Sequence, residues 1–225
     1  MNKYHTLIIA LFIIIATGAN SAEPFIKFRT FTINRTKNSV CYEAKVDFPV
    51  SGNAAAMRGA RKWICNILEL DNPKTISESN FESLLNRSCE QYLKDVDATS
   101  RRVRIALTFE DPTCVTFESM VEDDDTVKWR TADCASFSKR DGHLIKVNEI
   151  FKCPDSQIKK LMWQFRGDLP EDITSPSALA IGNTAFIDGW IIVIGPVRNG
   201  CGAEYRIRYA TAEPYLKVPK SGGYY

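Results

Sequence analysis

The chain holds few residues able to do acid–base, nucleophilic or metal chemistry at a recognisable spacing. It has two histidines, and only His143 lies beyond the first few residues. A Ser–His–Asp or Cys–His pair needs a histidine held beside its nucleophile. His143 stands in "SKRDGHLIKVNEIF", directly after Asp141-Gly142, and the sequence contains no G-x-S-x-G elbow. It therefore reads as an exposed residue flanking a turn, without partners for a base. One histidine with no matching acidic or thiol spacing makes no zinc site. The triplet Asp123-Asp124-Asp125 lacks the glycine and spaced ligands of a calcium loop and reads as a solvated turn. The glycine-bearing stretches "GNTAFIDG" and "NGCG" are not followed by Lys-Ser/Thr and do not make a phosphate loop. Glycosidase chemistry needs two carboxylates in a cleft. The 27 acidic residues leave that open without singling out a pair. No residue is assigned a catalytic, cofactor-binding or metal role.

The N-terminus carries a specific signal. Lys3 precedes the apolar run "LIIALFIIIA", and "TGANSAEP" follows. This is the order of a secretory signal peptide, residues 1–22, with cleavage after Ala22 or alternatively after Ala19. The apolar run is shorter than the roughly 20 residues that span a bilayer, so no transmembrane anchor is expected after cleavage. The expected product is a soluble exported protein, periplasmic or secreted. Removing 22 of 225 residues leaves 203, with a net charge of about +1 once Lys3 is gone. A near-neutral chain offers no electrostatic footprint for nucleic acid. All seven cysteines lie in the mature part, where an oxidising compartment favours disulfides and an odd count leaves a thiol over. None has C-x-x-C spacing.

The elements that would position these residues can be read from periodicity. Residues 25–33 and 39–48 alternate as strands. Met57, Ala60, Ile64 and Leu68 make one face of a helix over 53–70. Thr75 with Glu78 has capping-box spacing and predicts a second helix from Ile76, with Phe81, Leu84, Leu85 and Tyr92 as its stripe. "RVRIALTFE", "TCVTFESMV" and "TVKWRTADCASF" are strands. Asp141-Gly142 and Asp188-Gly189 are two-residue turn signals. Asn148 would cap a turn of helix, "EIF". Ile158, Leu161, Met162 and Phe165 predict a helix over 155–166, and "AEYRIRYA" and "YLKVP" close the chain as strands. Helices and hairpins are segregated, which predicts an α+β fold, an antiparallel sheet with helices packed on it.

Two expectations concern cysteines. In a helical hairpin Cys65 lies about 8 Å from the connecting loop and Cys89 about 20 Å, so the two are not level and no bridge is expected. Cys114 and Cys134 are equidistant from Asp124. Strands folding back there would set the two cysteines opposite each other, at a spacing that a disulfide can span only in a close pair. The same register opposes Glu118 to Arg130. It gathers Val115, Phe117, Val121, Val127 and Trp129 on the other face, turned toward the helices.

Residues 113–219 resemble the RsiV-like C-terminal domain family of exported bacterial proteins. The likeness rests on Asp141-Gly142, Asn148-Glu149-Ile150-Phe151, Ile187-Asp188-Gly189-Trp190 and Tyr205-Arg206-Ile207-Arg208-Tyr209, with Lys217-Val218-Pro219 as a closing strand. Residues 30–100 are similar in layout to the strand–helix unit that precedes that domain. The chain departs from the family at Ala212-Glu213-Pro214, at Cys201 and in ending without a final helix. The division implied is 23–110 and 111–225, or one continuous domain. The resemblance implies a non-catalytic cell-envelope binding module for a protein or cell-wall glycan ligand, with Trp190, Tyr205, Arg206 and Tyr209 as natural anchors; the alternative for Trp190 and Tyr205 is that both face the core. An envelope glycan hydrolase and an accessory structural protein are the alternatives.

Overall fold

The computed structural model describes residues 25–70, 76–95, 97–124, 128–166, 173–196 and 202–217. The expected signal peptide, Thr75, Asp125, Val127, Cys201 and the Trp129 side chain lie outside the described residues.

The fold is α+β, as expected. Strands β1 (Lys27–Lys37) and β2 (Val40–Ser51) form a hairpin. Helices α1 (Ala54–Ile67) and α2 (Glu78–Tyr92) follow. The chain then returns as β3 (Ser100–Glu110), β4 (Cys114–Asp124) and β5 (Lys128–Ser138). The five strands make one sheet in the order β1-β2-β3-β4-β5, antiparallel except for the parallel β2–β3 pair that the helical crossover creates. The expected boundary between residues 110 and 111 thus falls at the end of β3, whose next strand, β4, is its neighbour in the same sheet.

Asn53 caps α1, its Oδ1 accepting the Ala56 N–H at 2.8 Å. The α2 cap is Ser77, whose N–H donates to Asn80 Oδ1 at 2.8 Å, so the cap falls two residues beyond the expected Thr75. Ala60, Ile64, Phe81 and Leu85 are buried against Phe31, Val46, Ile105 and Phe117 in a first core.

After β5 come a short helix α3 (Val147–Ile150), α4 (Asp155–Gln164), a hairpin β6 (Thr184–Ile187) and β7 (Trp190–Pro196), β8 (Gly202–Arg208) and α5 (Tyr209–Ala212). The cap of α3 is Lys146 rather than Asn148. β6, β7 and β8 form a second, antiparallel sheet. Of the strand expected at "YLKVP", the described residues show the bridge of Leu216 with Phe151, and Val218 and Pro219 lie outside the described residues. One face of this sheet (Ile191, Val193, Tyr205, Ile207) meets Ile158, Leu161 and Met162 of α4. The other face (Ala185, Ile187, Ile192, Ile194) packs on Phe109, Cys114 and Cys134 of the first sheet. The layers run helices, sheet, sheet, helix.

The β4–β5 register corrects the sequence reading. Cys114 faces Ser138 and Cys134 faces Glu118, so the two cysteines are not opposed. Glu122, not Glu118, faces Arg130. The slip is four residues, an even number, so every side chain keeps its face. Val115 and Phe117 are fully buried on the helix side, as expected. Cys65 and Cys89 are free and buried.

Candidate functional site

β8 is, among the described residues, an edge strand of the second sheet, and its period-2 alternation splits its side chains between two environments. Tyr205 and Ile207 turn into the core against α4. Glu204 and Arg206 share the face of their partners Ile194 and Ile192 and project beside the inter-sheet core. There they meet Glu118 of β4. Arg206 Nη2 lies 3.5 Å from Glu118 Oε2, and Arg206 Nε also donates to the Glu204 carboxylate. One guanidinium thereby joins carboxylates from the two sheets.

A β-bulge completes the corner. The β3–β4 register shifts between Leu107 and Phe109, leaving Thr108 as the extra residue. Thr108 hydrogen-bonds Glu118, while Phe109 enters the inter-sheet core. Burial raises the Glu118 carboxyl above the ordinary range and the nearby Glu204 charge pushes the same way, against the Thr108 bond and Arg206. Thr108, Glu118 and Glu204 border a cleft of about 190 Å³ whose walls also include Asp133, Arg104, Met120 and Ile192. Asp133 is fixed on both oxygens. Oδ1 accepts from Asn183 Nδ2 at 2.8 Å and Oδ2 from Trp63 Nε1 at 3.3 Å. No ion pair engages Arg104 among the described residues, so it brings an uncommitted cation to the wall. Chemically, the cleft offers carboxylate acceptors, one carboxyl biased toward its neutral form, the Arg104 guanidinium and an apolar wall, with the Arg206 guanidinium bound to two of its carboxylates.

A larger recess of about 280 Å³ lies on the helix side, lined in part by Tyr42, Arg87, Tyr92 and Arg101. Its Arg101 is committed to Asp123 at 2.7 Å and Glu69 at 3.6 Å, which leaves less charge for a ligand.

His143 is exposed beside the turn, as expected, but it does not lack partners. Its Nδ1 is 2.5 Å from Asp141 Oδ1 and its Nε2 is 2.8 Å from Glu149 Oε2. The expected two-residue hairpin with both central residues at positive φ is not formed. Gly142 has φ +81° and Asp141 does not share that region, and Gly142 N–H bonds Ser138 O at 2.8 Å.

The four expected anchors separate. Arg206 does not line the cleft but binds Glu118 and Glu204, which do. Tyr205 is 2% exposed and sealed in the core, so the alternation that presents Arg206 withdraws its neighbour. Trp190 is half-buried, with the Arg208 guanidinium 5.5 Å from its ring centroid. Tyr209, half-buried, begins α5, and its N–H donates to Gly189 O at 2.9 Å. Sequence reasoning missed Glu118 and Glu204 as site residues. The available signal was Glu204's two-residue spacing from Arg206 on one strand.

The fold and cleft define a two-sheet α+β protein with a polar groove at the sheet junction. The chain is similar in structure to a DUF3298 family protein of Bacteroides fragilis, with TM-score 0.65 and 9% identity over 88% of this chain and 96% of that one. It is also similar to a DUF3298 family protein of Pseudomonas aeruginosa PAO1, with TM-score 0.59 and 10% identity over 91% of this chain and 100% of that one. At such identities the likeness shows the fold: that of a bacterial domain of unknown function. No family profile and no curated protein matches the sequence. Among the described residues no helix is long and apolar enough to cross a membrane.

Proposed function

We propose that the protein is an exported cell-envelope recognition module of the RsiV-like kind, periplasmic or secreted, that binds a protein or cell-wall glycan through the inter-sheet cleft. The observation that carries this reading is the junction of Glu118, Glu204 and Arg206 over an apolar wall, with Arg104 on the same wall. A cleft of about 190 Å³ is smaller than the roughly 300 Å³ at which small-molecule pockets begin. It suits a protruding group of a larger ligand: one side chain, or one substituent of a polymer. Signal-peptide order supports export, and Trp190 lies on the same face of the second sheet as Arg206. The test is co-sedimentation of the mature protein with purified sacculi, alongside capture from envelope protein extract, each repeated with Arg206→Glu. Retention that the substitution abolishes in either arm supports the reading. Retention in neither arm, or retention indifferent to Arg206, counts against it.

A second reading is an envelope glycan hydrolase, and one observation favours it. Glu118 is biased toward the protonated form a general acid needs, and Glu204 is a nearby carboxylate for the base or nucleophile role. Peptidoglycan fragments incubated with the mature protein test this reading by mass spectrometry. Cleavage lost in Glu118→Gln would select it over recognition alone.

A further inference from the structure

His143 contacts two carboxylates from two parts of the fold. Asp141 belongs to the turn that follows β5. That turn is seated on α1, where Gly142 meets Ala55 so closely that an added Cβ would stand 2.1 Å from the Ala55 carbonyl oxygen. Asn53 Nδ2 also donates to Lys139 O in the same turn at 2.9 Å. The turn thus moves with the first core. Glu149 belongs to α3, whose Ile150 is buried in the second core together with the following Phe151. Glu149 reaches the ring with Oε2 while its Oε1 accepts the Lys146 N–H at 2.9 Å. Carboxylate oxygens only accept, so holding both contacts requires a proton on each ring nitrogen. A neutral imidazole carries one such proton and satisfies one carboxylate.

We propose that Asp141, His143 and Glu149 form a pH-sensitive latch between the two cores, closed while the imidazole is charged and open on one side when it is neutral. The charges acting on the ring are Asp141 and Glu149, whose bonds raise its pKa in that order, with burial opposing weakly. Around them, Arg140 Nη2 lies 3.5 Å from Asp141 Oδ2 and Lys146 acts on Glu149. Ala55 and Gly59 of α1, against the turn, are uncharged. The direction follows from the sign. The folded pKa is raised, so the latch is fully closed below the ordinary histidine value of about 6.5 and opens as pH rises through the folded value. His143 is the one histidine outside the expected leader, so few other groups change charge between pH 5 and 8.

The test uses the mature protein. The His143 ring is titrated by NMR while hydrogen exchange is followed at the Lys146, Glu149 and Phe151 amides and corrected for intrinsic rates. The expected result is ring titration above about 6.5, with loss of protection at Lys146 and Phe151 through that titration. His143→Gln should show protection independent of pH, and Glu149→Gln should lower the ring titration. A ring titrating at or below the ordinary value would overturn the latch. So would protection that stays flat in the wild type, or changes alike in His143→Gln. Should His143→Gln fail to fold, Glu149→Gln decides: an unshifted ring titration overturns the proposal.

Discussion

Lys139 Nζ lies 2.7 Å from Glu110 Oε1 with both side chains nearly closed to water, 2% and 8% exposed. The contact is an ion pair rather than a well-aligned hydrogen bond. Both Glu110 oxygens also accept the Ile26 N–H, at 2.9 and 3.0 Å. The Phe25 ring centroid lies 4.9 Å from Lys139 Nζ. The pair pins the start of the described chain and the end of β3 to the turn after β5. Removing one member leaves the other charged and buried. Lys139→Ala is expected to cost about 3–5 kcal/mol in denaturant unfolding, and the double variant Lys139→Met/Glu110→Leu less than either single truncation.

Thr116 Oγ1 and Ser136 Oγ lie 2.6 Å apart on facing strands, both buried, and Ser136 Oγ also accepts the Phe186 N–H at 3.0 Å. One hydroxyl therefore fixes the β4–β5 pair and ties it to β6. Ser136→Ala strands a buried donor and is expected to destabilise by about 1–3 kcal/mol. Urea unfolding of that variant beside Thr116→Val/Ser136→Ala measures how much is orphaned Phe186 N–H.

Glu118 has a folded pKa above its unfolded value. The folded state therefore holds a proton that the unfolded state releases at about pH 4.3, and stability falls as pH rises from there through the folded pKa. Glu118→Gln should remove that part of the fall. Thermal unfolding of both proteins from pH 3 to 8 checks it, and parallel curves would refute the assignment.

Gly142 has φ +81° and no room for a side chain against Ala55, and an added Cβ at Gly59 would stand 2.2 Å from the Gly142 carbonyl oxygen. Gly142→Ala combines backbone strain with overpacking and is expected to cost at least about 2 kcal/mol. Gly189→Ala has φ strain at +70° but open space, and should cost less. The two melting temperatures compared directly settle the order.

Cys65 is buried and its thiol is pushed up to about 12 by burial, and Cys134 is raised well above the usual range for the same reason. Thiolate is the reactive form. Alkylation at pH 8 should label half-buried Cys41 and Cys153 in the folded protein well before Cys65, Cys89, Cys114 and Cys134. Peptide mapping after timed quenching reads the order.

Helix faces and strand faces were legible because they rest on local period. Ala60 and Ile64 of α1, Phe81 and Leu85 of α2, and Val115 and Phe117 of β4 all fall in the first core where spacing places them. The β4–β5 register was not legible. A slip of four residues leaves every side chain on its face, so the apolar pattern is equally satisfied by both alignments. What distinguishes them is cross-strand pairs such as Thr116 with Ser136.

By itself the sequence determined the α+β class and the helix and strand faces, since each depends on neighbours within a few residues. Tertiary structure alone decided the rest. The second sheet folds over the face that alternation would leave to solvent, burying Cys114, Thr116, Cys134 and Ser136. That closure brings Glu118 to Arg206, 88 positions apart. It also made the environment that raises the Glu118 pKa, because desolvation depends on which distant surface arrives above a carboxylate.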